Sequence, residues 1–167
     1  LDNELQKLAA YAAGGTVDEA ALNELVSAAQ DAKIWDLTDA VIAGNARKAV
    51  SAMDRLLTSG EAPQKLLVSI IRPYRQLVLV KEARDRRASR DETARASGVP
   101  PFKLDEMGAL ASRYTWPQLR RAYRRILDAD LNVKRGLMSD EASLQLLVHE
   151  LCALAASARQ GAATGRR

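Results

Sequence analysis

Thiol chemistry has almost nothing to work with in this chain. Cys152 is the single cysteine among 167 residues, so no internal disulfide can form, and the chain suits a reducing cytoplasm. Aromatic residues make up only 4%, with one phenylalanine, Phe102. Alternating runs of β-branched residues are missing as well, which argues against strands. Histidine occurs once, as His149, three residues before Cys152. Two ligands fall short of the four that a structural zinc site wants, so His149 belongs on a helix surface or packed against a neighbour. No glycine-rich loop ends in Gly-Lys-Ser or Gly-Lys-Thr, which excludes a P-loop. No apolar run is long enough to span a bilayer, and no charged leader precedes a hydrophobic segment. Acidic residues stand mostly beside basic ones at helical spacing, as Asp130 does with Lys134, so no carboxylate pair is set apart for acid–base work. The expectation is a chain that is not an enzyme, with no cofactor, no metal and no membrane partner. It begins with Leu1 instead of Met, as a piece of a larger protein would.

What is present is helix. Hydrophobic residues at 47% and charged residues at 28% fit a folded chain with one core. The stretch that the rest surrounds runs from Gly60 to Arg87. Leu66, Ile70, Tyr74 and Leu77 recur at helical steps, Leu67, Ile71 and Val78 form a second row, and Val68, Leu79 and Val80 widen the apolar surface. A helix apolar on most of its circumference must be enclosed by others. Pro63 fits its first turn. Pro73 falls in the interior, where it frees the Ser69 carbonyl and predicts a kink costing about 3 kcal/mol. The end of this helix, from Lys81 to Arg87, is predicted to be solvated.

The remaining segments alternate apolar stripes with stop signals. Leu1, Leu5, Leu8 and Ala12 predict a first helix ended by Gly14-Gly15, and Thr16 with Glu19 makes a capping box for a second. Ile34 to Ile42 predicts a short helix stopped by Gly44, and Asn45 caps the next, with Ala49, Val50, Met53, Leu56 and Leu57 inward. Asp91 to Ser97 allows one or two turns, whereas Gly98-Val99-Pro100-Pro101 is expected to be non-helical. Leu104, Met107, Leu110 and Ala111 mark a short helix. Thr115 caps a longer one, for which Leu119, Ala122, Tyr123, Ile126, Leu127, Leu131 and Leu137 are the expected core face. The last helix starts at Ser139 or Asp140 and packs through Leu144, Leu147, Val148, Leu151, Leu154 and Ala155, with fraying expected from Ser157. The fold class is all-α, a helical bundle of eight or nine helices.

Charge is divided unevenly. Residues 1–32 hold one lysine against six acids, a net of −5, and the remainder holds 24 basic against 15 acidic residues, a net of +9. Such a change of sign predicts two units: 1–32, then 33–160, followed by a flexible basic tail over 161–167. The cations form two crowds. Arg72, Arg75, Lys81, Arg84, Arg86, Arg87 and Arg90 make one, and Arg113, Arg120, Arg121, Arg124 and Arg125 the other. Arg120 with Arg124, and Arg121 with Arg125, stand one turn apart and repel by a few tenths of a kcal/mol. A facing acid or phosphate would relieve that repulsion, and Phe102, Tyr114 and Trp116 are near enough in sequence to stack on unpaired bases. The plainer alternative makes the aromatics core and the arginines solvated or paired with a neighbouring subunit. Arg84, Arg87, Phe102, Arg120, Arg121, Arg124 and Arg125 are thus the candidate DNA or subunit contacts.

Segment order adds a resemblance. Asn3 to Leu8, the capping-box helix, Ile34-Trp35-Asp36-Leu37-Thr38-Asp39-Ala40, the Ala46–Leu57 helix and Arg72-Pro73-Tyr74-Arg75-Gln76-Leu77 resemble the delta-subunit family of bacterial DNA polymerase III. So do Gln118-Leu119-Arg120-Arg121-Ala122 and Leu127 to Lys134. The resemblance implies a subunit of the clamp loader, with an AAA+-like first domain, a small helical second domain and a helical collar. On that basis 1–32 would be the last helices of the second domain and 33–160 the collar, which joins the pentameric ring of a complex that loads the sliding clamp on primed DNA. Other clamp-loader subunits are the implied partners, in a cytoplasmic, nucleoid-associated replisome. Primed DNA would be met through the complex, and the sliding clamp only through the first domain, which these residues do not include. Two alternatives stand beside it: the collar of another clamp-loader subunit, or a free-standing helical nucleic-acid-binding module.

Overall fold

A computed structural model of the chain describes residues 32–164, with side chains described as far as Arg159. The helices expected before residue 31 and the Thr16–Glu19 capping box lie outside the described residues. Among the described residues there are seven α-helices and one 3₁₀ turn, and no strands. They are α1 (32–43), α2 (Ala46–Thr58), α3 (Pro63–Asp85), α4 (Arg90–Ser97), the turn Pro101–Lys103, α5 (Leu104–Arg113), α6 (Trp116–Lys134) and α7 (Asp140–Thr164).

The centre is α3, a 23-residue helix that packs against α4, α5, α6 and α7. Pro63 opens it, and Leu66, Leu67, Ile70, Tyr74, Leu77 and Val80 are all buried along it. Its enclosure is incomplete, because Val68 stays 54% exposed and Arg72 and Arg75 point outward. Pro73 is buried, and the helix runs through it as one span. The proline removes one N–H from the ladder, but four packed neighbours hold the helix on both sides of the gap.

Helix ends are set locally. α1 stops at Gly44, whose φ of +68° closes the turn, with Asn45 N–H donating to the Ala40 carbonyl and Gly44 N–H to that of Val41. A side chain here would also collide: a Cβ on Gly44 would sit 2.8 Å from that of Ala155 on α7. Arg159 then donates to the Gly44 carbonyl at 2.8 Å, tying the end of α1 to α7. Asn45 caps α2 by accepting from Lys48 N–H, and Thr115 with Gln118 forms a complete capping box for α6. Pro101 opens the short 3₁₀ turn instead of barring helical geometry, since a first-turn proline forfeits no bond.

Two expectations about the core face of α6 need correction. Leu119, Ala122, Ile126 and Ala129 are buried, whereas Leu127 is 55% exposed and Leu137 lies in the exposed α6–α7 connection. Leu127 follows Ile126 by about 100° round the helix, which turns it away from the core that Ile126 enters. The last helix also continues past Ser157: Ala158 is buried, and α7 runs to Thr164.

The interior is closed by two tyrosines. Tyr74 and Tyr114 meet edge to face, with ring centroids 6.3 Å apart and an interplanar angle of 80°. Tyr114 donates its hydroxyl to the Ile42 carbonyl at 2.8 Å, joining α1 to the α5–α6 corner. The buried Tyr74 hydroxyl has no partner. Burial drives its phenol well above the ordinary value, and raises Tyr114 to about 12. Ser143 stitches α7 to α6 through the Ala129 carbonyl at 2.9 Å.

Candidate interaction surfaces

The two crowds of cations meet different fates. In the first, Arg84 donates to the Gly108 carbonyl on α5 at 2.7 Å. Gly108 permits this approach, because a Cβ there would come within 2.9 Å of the same guanidinium nitrogen. Arg86 reaches both Glu82 and Glu92, at 3.0 and 3.2 Å. Arg90 forks onto both oxygens of Asp105, at 2.7 and 3.1 Å, and onto the Pro101 carbonyl at 2.7 Å. Those hydrogen bonds hold the Asp105 carboxyl below its ordinary range. Of this crowd's candidates, Arg84 is therefore tied into the fold. Arg87 is exposed, at a φ of +59°, where the chain turns from α3 towards α4.

On α6 the outcome is reversed. Arg125 pairs with Glu150 of α7 at 3.6 Å. Arg120, Arg121 and Arg124 are exposed and make no ion pair among the described residues. The four-residue step puts Arg120, Arg124 and Leu127 within about 60° of one another on the helix, while Arg121 and Arg125 lean to the α7 side. The expected ridge is therefore narrower than four arginines. Across the seam, Val68 and Arg75 stand on α3. The helices run antiparallel, with Gln64 meeting Asp130 at 3.3 Å near one end and Asp85 accepting from the Trp116 indole at 2.9 Å near the other. Val68 and Leu127 each lie one turn from the Gln64–Asp130 contact, so they stand level. Arg75 is close enough to Tyr123 to offset part of the burial that raises that phenol.

The aromatics separate as well. Tyr114 is core, so base stacking is closed to it. Trp116 is taken up by Asp85 and by Lys81, whose ammonium lies 5.7 Å from the ring centroid. Phe102 is 79% exposed, at the tip of the Pro101–Lys103 turn. That turn is held at both ends, by buried Val99 and Leu104, and across its base by Arg90. Beside it lies a cluster that the sequence does not announce. Trp35 of α1 is 47% exposed, with Lys103 and Arg72 at 4.9 and 5.9 Å from its centroid. These residues come from three elements far apart in the chain, so no local spacing could reveal them.

Other features carry little chemistry. His149 lies on the exposed side of α7, lining a shallow groove of about 540 Å³ with Ala46, Val50 and Arg55 of α2. Cys152 is buried, which pushes its thiol up to about 11 and leaves it unreactive. Among the described residues no three metal-ligating groups come together, and no helix is long and apolar enough to cross a membrane.

A tightly joined helical block, with unpaired arginines and exposed apolar side chains on one seam, has the make-up of a domain that associates with other macromolecules. The chain belongs to a defined family, the C-terminal domain of the DNA polymerase III delta subunit, whose model matches residues 31–151. In fold it is similar to the Bacillus subtilis DNA clamp loader delta protein (YqeN), with a TM-score of 0.66 at 19% identity over 90% of this chain. The chain spans 44% of that protein's length. No curated protein matches it.

Proposed function

We propose that these residues are the assembly element of a clamp-loader delta subunit, the collar through which it joins sister subunits in a ring that loads the sliding clamp. The observation that supports this is how α3 is enclosed. One helix touches four others, α1 is bolted to α7 through Gly44 and Arg159, and α6 is stitched to α7 by Ser143. Such a block holds its outer faces in fixed relation, which a closed ring of unlike contacts requires. In this account 1–32 is the end of a preceding helical domain, in keeping with the change of charge sign and a family match that begins at residue 31. Moving, nucleotide-dependent parts belong to other domains and subunits.

The test is reconstitution. Mixed with the partner clamp-loader subunits of its own organism, the chain should co-elute with them in one complex. A chain that remains at its own mass beside a complete set of partners would overturn the proposal.

The Phe102 turn favours a second role within the same complex. A rigidly mounted aromatic, with Lys103 and Arg72 close by, matches the combination that grips unpaired bases and their phosphates. Phe102→Ala should weaken binding of primed DNA by the assembled complex several-fold and leave assembly intact. An unchanged DNA affinity would remove this role.

A further inference from the structure

The seam between α3 and α6 carries three arginines, Arg75, Arg120 and Arg124, with no ion pair among the described residues, and two exposed aliphatic side chains, Val68 and Leu127. Of the acids nearby, Glu82 is engaged with Arg86 and Asp130 with Lys134. Asp128, one turn beyond Arg124, makes no ion pair with it, so cations outnumber free acids here. The seam is thus a cationic rim round an apolar centre.

We propose that this seam docks a protein surface made of an apolar knob ringed by aspartate and glutamate. This rests on the assembly role and names the chemistry of the face that one neighbour must offer. Charge complementarity identifies the occupant's rim, because three unpaired guanidinium groups on adjacent stripes repel one another until acids face them. The apolar centre separates a protein from a polyanion. Val68 and Leu127 give a nucleic acid nothing to stack on, and Trp116 at the edge of the seam is held by Asp85 and Lys81. The cations left unpaired on the seam are arginines, since Lys134 is taken by Asp130 and Lys81 lies over Trp116. Arginine is enriched at protein interfaces, where the planar guanidinium can lie across apolar surface while pairing with carboxylate.

The experiment compares wild type, Arg120→Glu/Arg124→Glu and Leu127→Ser in the complete set of clamp-loader subunits, at rising salt. All altered side chains are exposed, and circular dichroism checks that each variant folds. The charge reversal should weaken assembly at least tenfold, and salt should weaken wild-type assembly in the same direction. Leu127→Ser should weaken assembly by a smaller factor that salt does not change. Wild type that assembles while both variants assemble equally well overturns this inference alone. Loss of primed-DNA binding with assembly intact overturns it too, and would assign the seam to phosphate. Wild type that fails to assemble removes the collar role and this inference with it.

Discussion

The arginines at the end of α3 and the start of α4 look in the sequence like those of α6, yet the fold treats most of the two groups in opposite ways, with Arg87 and Arg125 as the exceptions. Arg84, Arg86 and Arg90 are drawn into carbonyls and carboxylates that fasten α3, α4 and α5 together. Arg120, Arg121 and Arg124 are left facing outward. A run of cations therefore says little about function until its partners are known: those already bonded serve stability, and those left over are free to recognise something else. The tyrosines repeat the contrast indoors. Tyr114 uses its hydroxyl to hold Ile42, while Tyr74 carries a hydroxyl that holds nothing.

The largest effect expected from this contrast lies in alkali. Burial keeps the Tyr114 phenol near 12 and the Cys152 thiol near 11, against ordinary values of 10.0 and 9.0, and holds Tyr74 well above its ordinary value. The unfolded chain loses these protons first, so it binds fewer protons than the native state and stability falls as pH rises above about 9. Each group adds up to about 1.4 kcal/mol per pH unit once it titrates in the unfolded chain alone. Denaturant melts from pH 8 to 11.5 should show the fall, and Tyr74→Phe/Tyr114→Phe should flatten its upper part. A stability independent of pH there would contradict the buried assignment.

Removing a fastened group comes next. Arg84→Ala should cost about 1–2 kcal/mol, the value of a charged donor to a partly buried carbonyl, seen as a lower thermal midpoint. Tyr114→Phe should cost about as much, because the Ile42 carbonyl loses its partner. Tyr74→Phe should be neutral or stabilise by less than about 1 kcal/mol, since it deletes a buried hydroxyl with no partner. If Tyr74→Phe destabilised as strongly as Tyr114→Phe, the contrast between them would fail. Smallest of all, Arg120→Glu/Arg124→Glu should shift stability by no more than about 0.5 kcal/mol, as surface changes usually do. A larger loss would mean that the α6 arginines are fastened after all.

How much of this was legible beforehand follows from the range of each interaction. Asn45, Pro63 and Thr115 act within three or four residues, so the starts of α2, α3 and α6 could be read from neighbours in the chain. The same holds for the stop at Gly44 and for the apolar stripe of α5. Leu127 and Leu137 were misplaced because apolar character alone does not say which way a side chain faces. Leu127 is one residue round from the buried stripe, and Leu137 lies beyond the end of α6. The fate of Arg84 depends on a carbonyl 24 residues away, and the Trp35 cluster on a lysine 68 residues away. Such contacts exist only once the helices have packed, so the candidate site was visible as a list of cations and invisible as a surface.

Hydrogen exchange on the reconstituted complex probes the central claim most directly, because it maps where partners cover this domain. The account predicts new protection along the outer faces of α3 near Val68 to Arg75 and of α6 near Arg120 to Leu127, with the Arg84–Gly108 region unchanged on assembly. Protection that appeared at the fastened arginines and spared the α3–α6 seam would contradict it.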